Sequence, residues 1–321
     1  MKKEQFDVAI IYEHPEWHQP LFEALEMQGV SYVKIDLKKG AFHYTDIPSA
    51  NLYYNLVSPS AYLRGNQKAI PFANALCRNL EYQGATVLNG SESMALEFSK
   101  SAQMALLSSM KIDHPKTITF NGIESIEKYS SSLKFPMVLK PEQGGSGARM
   151  YIINSLEELR KLLSDKPELW LPDNLLLLQE HLNYNEDFGI VRLEFIGGKL
   201  LYAMRVVTHG VFNLCPSVVC NPENGEAGSC ELITPSKKPE FYSFPEVPKE
   251  AVQIAERIMA ASKHGIGSVE YLETIDGRRV FYDINANSNL RESIGRDFGK
   301  EPFADLANYL LTYSKPDKAV A

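Results

Sequence analysis

Residues 135–153 read F-P-M-V-L-K-P-E-Q-G-G-S-G-A-R-M-Y-I-I. An apolar strand ends in Lys140, the chain turns through Gly144, Gly145, Ser146 and Gly147, and a second apolar strand follows. This pattern predicts a β-hairpin with a glycine-rich tip. Bare glycine backbone lets N–H groups approach phosphate oxygens closely, and a lysine at the strand end brings a point charge to the same anion. Taken alone, such a loop is more often a plain surface turn than a phosphate clamp. Its weight comes from the flanking sequence.

Upstream, Ser91 to Met110 reads as one helix with Met94, Leu96, Phe98, Ala102, Leu106 and Leu107 on its apolar side, ended by His114-Pro115. Lys100 is the basic residue in its body, where a lone lysine is usually solvated. Downstream, Ser155 and Glu158 form a capping-box signature opening a helix to about Leu163. Leu175 to Leu178 is a buried strand that runs into Gln179, Glu180, His181 and Leu182.

The chain opens with a strand at Phe6 to Ile11, a helix from about Gln19 to Gln28 stopped by Gly29, and a strand at Val30 to Ile35. This is a β-α-β unit with a parallel sheet. No G-x-G-x-x-G follows the first strand, so a dinucleotide site is not indicated. His14, Trp17 and His18 sit at that strand's C-terminal end, where α/β sheets place ligands, but they read more readily as loop residues with Trp17 packed on the sheet. Arg64, in the polar stretch Asn55 to Gly65, either meets an acidic substrate or caps a helix. A domain boundary falls near Asn89-Gly90.

Two hairpins in the third region can be registered from their turns. Gly197-Gly198 pairs Ile196 with Lys199. Counting outward sets Arg192 opposite Ala203 and Arg205 opposite Ile190, so both arginines are expected on one face, where two cations require an anion between them. Asp276-Gly277 pairs Ile275 with Arg278, which sets Tyr271 opposite Tyr282, Val269 opposite Ile284 and Glu270 opposite Asp283. One face is apolar. The other carries two carboxylates across a strand pair, with the amide oxygen of Asn285 one pleat further on. Such oxygens suit Mg²⁺; alternatively Arg279 or a neighbour on that face neutralises the pair.

Composition narrows the class. The chain has 321 residues, 44% hydrophobic and 23% charged, which suits two or three globular domains. Its formal net charge is −7 with no long basic run, so sequence-independent nucleic-acid binding is not expected. The apolar run Val8 to Ile11 is too short for a signal sequence and no stretch is long enough to span a membrane. Four cysteines without a secretory signal point to the reducing cytoplasm. Cys215, Cys220 and Cys230 lack a C-x-x-C knuckle and read as reduced thiols in a substrate-side loop rather than as a zinc site.

The ordered set Lys100, F-P-M-V-L-K with G-G-S-G, L-L-L-L-Q-E-H-L, R-x-x-F-I-G-G-K with Arg205, V-E270 and F-Y-D-I-N285 resembles the ATP-grasp superfamily over about residues 88 to 312. Within it the chain is most similar to the glutathione synthetase and ribosomal-protein glutamate ligase branch. The resemblance implies an α/β architecture: a Rossmann-like N-terminal domain (1–88), then an ATP-grasp fold of two subdomains (89–184 with the glycine-rich loop, 185–321 with the metal site). It implies that Lys100 and Lys140 hold the α- and β-phosphates of ATP and that Gly144, Gly145, Ser146 and Gly147 close over the nucleotide. Gln179, Glu180 and Leu182 would line the adenine pocket, and Asp187 would meet the ribose. Glu270, Asp283 and Asn285 would bind one or two Mg²⁺, with Mn²⁺ able to substitute, and Arg192 and Arg205 would face the transferred phosphate or the acyl substrate. The implied activity is carboxylate–amine ligation of small-molecule or peptide substrates; a homo-oligomer is compatible with it. An ATP-grasp kinase acting on a hydroxyl and a nucleotide-binding regulatory protein are the alternatives. Two departures from the glutamate-ligase pattern, Ile190 in place of an Asp and Asn287-Ser288-Asn289 in place of S-P-G, lead us to expect an acid other than a glutamate-type one.

Overall fold

Val8, Ala9, Ile10 and Ile11 are all 0% exposed in a computed structural model that describes residues 5–145, 147, 149–209 and 239–313. Only a strand covered on both faces buries four successive side chains in this way. That strand, β1 (Gln5–Tyr12), lies inside a parallel sheet ordered β2 (Tyr32–Asp36), β1, β3 (Ser49–Asn55), β4 (Val87–Leu88). Helix α1 (Pro15–Met27) covers one face with Phe22 and Leu25, and α2 (Ala69–Tyr82) covers the other with Leu76, Cys77 and Leu80. The first helix starts at Pro15 rather than near Gln19, because proline fits the first helical turn, where its missing N–H would have no partner.

Asn89 joins this sheet to the rest of the chain. It takes a left-handed φ of 52° that asparagine tolerates, and its side chain is buried. Its Nδ2 donates to the carbonyls of Ile266 (2.9 Å) and Ala286 (2.7 Å), and its Oδ1 accepts from the Gly265 N–H at 3.0 Å. The stretch expected as one helix is two, α3 (Ser91–Glu97) and α4 (Lys100–Ser109). The break falls at Ser99, whose hydroxyl accepts from the Ala102 N–H at 3.0 Å as the cap of α4. Lys100 is therefore the first residue of a helix, not part of a helix body.

The second sheet is antiparallel, ordered β5 (Thr117–Phe120), β8 (Leu176–Glu180), β6 (Met137–Pro141), β7 (Tyr151–Ile153), with α5 (Leu156–Asp165) on one face. The expected hairpin around the glycine-rich turn is β6 and β7, with Leu139 opposite Tyr151. Leucines along β8 alternate between two cores: Leu176 and Leu178 join the α5 side, and Leu177 packs with the third sheet. That double burial accounts for the unbroken leucine run.

The third sheet, ordered β11 (Glu240–Ser243), β10 (Lys199–Val207), β9 (Ile190–Ile196), β12 (Ile266–Glu273), β13 (Arg279–Asn285), is antiparallel. Helix α6 (Lys249–Ser262) packs Ala255, Ile258 and Met259 against its apolar face. Two bulges alter the expected registers. Between Leu200 and Tyr202 the β9–β10 pairing shifts, so Arg192 faces Met204 and Arg205 faces Val191. In β12–β13 the pair nearest the turn is Thr274 with Arg278, across a three-residue loop, and a shift after Glu270 compensates. Tyr271 therefore faces Phe281, while Glu270 opposite Asp283 and Val269 opposite Ile284 stand as expected. After α7 (Glu292–Asp297), helix α8 (Pro302–Leu311) returns to the first sheet and packs Leu306 and Leu310 in the α1 core. Among the described residues no helix is long and apolar enough to cross a membrane.

Replacing Asn89 with Asp keeps a residue that tolerates the left-handed backbone but removes both donations to the third sheet. We expect a loss of about 3 kcal/mol in urea unfolding, since two buried carbonyls lose their partners. An unchanged midpoint would show that the joint is not held by this side chain.

Candidate active site

The second and third sheets enclose a cleft, and side chains from four places in the sequence line it. Strand β6 brings Lys140, β12 brings Glu270, β13 brings Asp283 and Asn285, and the first turn of α4 brings Lys100. Gly144, Gly145 and Gly147 border it, as do Gln179, Glu180 and Leu182 from the end of β8 and the segment after it. Ser146, Cys215, Cys220 and Cys230 lie outside the described residues. Asp187, Arg192 and Arg205 are not among the lining residues.

Burial orders the charges. Lys100 forms an ion pair with Asp283, and the Asn285 amide approaches the same carboxylate at 3.4 Å. Burial opposes ionisation of Asp283, but Lys100, Lys140 and Arg192 outweigh it and hold the carboxyl below its ordinary range. Glu270, 1% exposed, goes the other way: burial raises it, against the pull of Arg192. Burial also pushes the Lys140 ammonium down to about 8, with Lys100 adding to the shift and Asp283 opposing it. The β12–β13 bulge makes Tyr282 an extra residue, so Tyr282 and Asp283 both border the cleft. The Tyr282 hydroxyl donates to Glu270 at 3.0 Å, and its ring lies 5.7 Å from the Lys140 ammonium. Counting from an assumed two-residue turn conceals this residue.

The arginines do not act as expected from the sequence. Arg192 reaches Glu194 (2.6 Å) and Glu270 (2.8 Å), and these buried carboxylates raise its pKa although burial itself lowers it. It holds Glu270 in place from the neighbouring strand, β9. Arg205 is on the opposite face, because the bulge at Leu200/Tyr202 inverts its side. There it donates to the Phe188 carbonyl at 3.2 Å and lies over the Phe188 and Tyr242 rings. Arg279 pairs with Glu273 at 2.7 Å, so the carboxylate pair is neutralised by Arg192 and Lys100 instead.

Among the described residues no group of three His, Cys, Asp or Glu is gathered for a metal. The set here is two carboxylates and an amide on one face, which fits an oxygen-preferring cation such as Mg²⁺ whose remaining positions go to phosphate and water. At the other end of the cleft, Val138, Met150, Leu182 and Leu272 make an apolar slot. Gln179 there donates to Thr117 at 3.0 Å, and Glu180 accepts from the Lys116 N–H (3.1 Å) and from Arg278 (3.0 Å), so both side chains are fixed by the protein itself. The slot's side chains offer apolar contact to a ligand in this part of the cleft. Asp187 is exposed, and its N–H donates to Asn185 at 3.0 Å.

The glycine-rich turn packs against Ser60, just beyond β3. A Cβ on Gly145 would lie 2.9 Å from both the Ser60 nitrogen and its Cβ, so only glycine fits there; Gly147 takes a φ of +71°. The ligand reading of His14, Trp17 and His18 gains no support. His14 stacks on Trp17 at 4.9 Å, and burial drives His18 down to about 3. Arg64 is the last residue of a short 3₁₀ turn (Pro59–Arg64); it pairs with buried Glu13, donates to the Ser60 hydroxyl at 3.0 Å and lies 4.5 Å from the Trp17 ring.

No protein-family model matches the chain. A coenzyme gamma-F420-2:alpha-L-glutamate ligase from Methanocaldococcus jannaschii is 25% identical over 251 residues, covering 76% of this chain and 75% of that protein. The structure of the ATP-grasp ligase PsnB complexed with a phosphomimetic variant of its minimal precursor, Mg and ADP superposes with a TM-score of 0.66 at 17% identity, over 97% of this chain and 100% of that one. An ATP-grasp RimK domain protein from Sphaerobacter thermophilus gives 0.65 at 18% identity, over 94% of this chain and 99% of that one.

Anion binding in the cleft is expected to weaken with alkalinity. Lys140 is cationic below about pH 8 in the free protein. A bound polyphosphate favours the charged form, so binding above pH 8 must take up a proton. Affinity for ADP should fall by up to about tenfold per pH unit above that point. Fluorescence titration between pH 7 and 9.5 checks this; a flat profile would remove Lys140 from the anion site.

Proposed function

We propose that this chain, an ATP-grasp ligase by fold, joins a carboxylic acid to an amine at the expense of ATP. The acid's carboxylate attacks the γ-phosphorus to give an acyl phosphate and ADP; the amine then attacks the acyl carbon and expels phosphate, leaving an amide. The observation that carries the reading is the convergence of Lys100, Lys140, Glu270 and Asp283, from four separate segments, on one cleft with an apolar slot at its far end.

Each group has a task that its surroundings suit. The adenine ring enters the slot at Val138, Met150, Leu182 and Leu272, and the glycine-rich turn covers the phosphates. Lys140 and Lys100 neutralise phosphate oxygens. Lys100 leaves Asp283 to do so, which frees that carboxylate. Glu270, Asp283 and Asn285 hold Mg²⁺, which when bound neutralises charge on the transferred phosphoryl group. Arg192 favours the ionised form of Glu270 against the effect of burial and aims the carboxylate. The protein's contribution to phosphoryl transfer is thus positioning and charge neutralisation. The acid differs from glutamate-type ones, because Asn287-Ser288-Asn289 follows the last metal residue. Its Ser288 hydroxyl is bonded to Glu194 and its Asn287 N–H to Glu97.

Hydroxylamine intercepts an acyl phosphate whatever the natural amine is. Incubation with MgATP, hydroxylamine and pools of amino acids, peptides and dicarboxylates is expected to give a hydroxamate from one pool. ADP and a stable phosphoester without hydroxamate would replace this reading with a kinase. Asp283→Asn should lower Mg²⁺-dependent turnover by about a thousandfold with the unfolding midpoint little changed; full activity would sink the metal assignment. Lys140→Ala should weaken ATP binding by at least about tenfold, read by calorimetry.

A further inference from the structure

Glu142 is 7% exposed and lies two residues past Lys140, just beyond β6. Its side chain does not turn toward the cleft. The carboxylate accepts from the Ser99 hydroxyl, from the Ser101 N–H at 3.0 Å and from the Ser101 hydroxyl at 2.7 Å, while its backbone carbonyl accepts from the Lys100 N–H at 3.1 Å. Every one of these donors belongs to the three residues that start α4. A single residue on the glycine-hairpin strand therefore grips the helix turn that presents the other lysine.

We infer that Glu142 is the positioning residue that sets Lys100 against Lys140 for binding a nucleotide's phosphates. Lys100 and Lys140 come from segments forty residues apart in sequence, one on a helix and one on a strand. The two cations oppose each other, since Lys100 adds to the lowering of the Lys140 pKa. Asp283 offsets that repulsion at the side chains, but something must also fix the helix turn that carries Lys100. A buried carboxylate bonded to the first N–H groups of a helix does so, because the helix start is partly positive and its N–H groups have no partner within the helix. The same bonds occupy the first turn of α4 with the protein's own carboxylate. Phosphate is thus met by the Lys100 side chain, not by the helix end.

The inference rests on the nucleotide reading of the cleft, and a double-mutant cycle separates the two. ADP affinity is measured by calorimetry for the unaltered chain, Glu142→Ala, Lys100→Met and the double variant. If Glu142 acts through Lys100, Glu142→Ala weakens ADP binding about tenfold alone and less than about twofold when Lys100 is already Met. Glu142→Gln, which keeps an acceptor for the Ser101 N–H, should recover most of the affinity. Should Glu142→Ala not fold, Ser101→Ala removes one donor to the same carboxylate and runs through the same cycle, with an expected loss of about threefold alone. Equal losses in both backgrounds, or no loss in the unaltered background, overturn the inference while ADP still binds. Failure of the unaltered chain to bind ADP overturns the nucleotide reading, and this inference with it.

Discussion

Arg192 between Glu194 and Glu270 is the interaction on which the cleft depends. Glu194 is 0% exposed and Glu270 1%, and burying a carboxylate without a partner is costly. One guanidinium serves both, through two different nitrogens, and by satisfying Glu270 it permits a second carboxylate, Asp283, directly across the strand pair. From there the alternation continues: Asp283 takes Lys100, and Lys100 stands near Lys140. Removal of the guanidinium would leave two buried carboxylates unmatched, which costs several kcal/mol in comparable buried pairs. The arginine is thus a structural counter-ion to the acidic groups of the cleft, set beside Glu270 on the neighbouring strand.

Much of this was legible in the sequence because it rests on local rules. The glycine-rich hairpin, the opening β-α-β unit and the Ser155 capping box follow from turn residues and periodicity. What failed depends on bulges and long-range contacts. A single extra residue near Leu200 sends Arg205 to the wrong side of the sheet, and another makes Tyr282 a cleft residue. Two compensating errors, a turn read one residue short and an unseen bulge, left Glu270 opposite Asp283 correct.

Helix boundaries show the same division. The apolar pattern from Met94 to Leu107 carries through the break, so periodicity alone gives one helix; the capping serine at Ser99 was the available signal. Glu142, in contrast, carried no sequence signal. Its partners lie about forty residues upstream, and a glutamate beside a glycine-rich turn reads as solvated. Asn89 is similar: an Asn-Gly pair marks a boundary, but its reach to Ile266 and Ala286 belongs to the folded chain only.

The last helix carries a consequence for how the protein is made. The α1 side of the first sheet is completed by Leu306, Ala307 and Leu310, from the final described turns of the chain. During synthesis, residues 5–88 leave the ribosome long before α8 exists. Until then the sheet's outer face, Val8 and Ile10 beneath α1 included, has only part of its cover. The first sheet to emerge is therefore incomplete until α8 has been made, and until then the nascent chain carries an apolar surface that this helix will close.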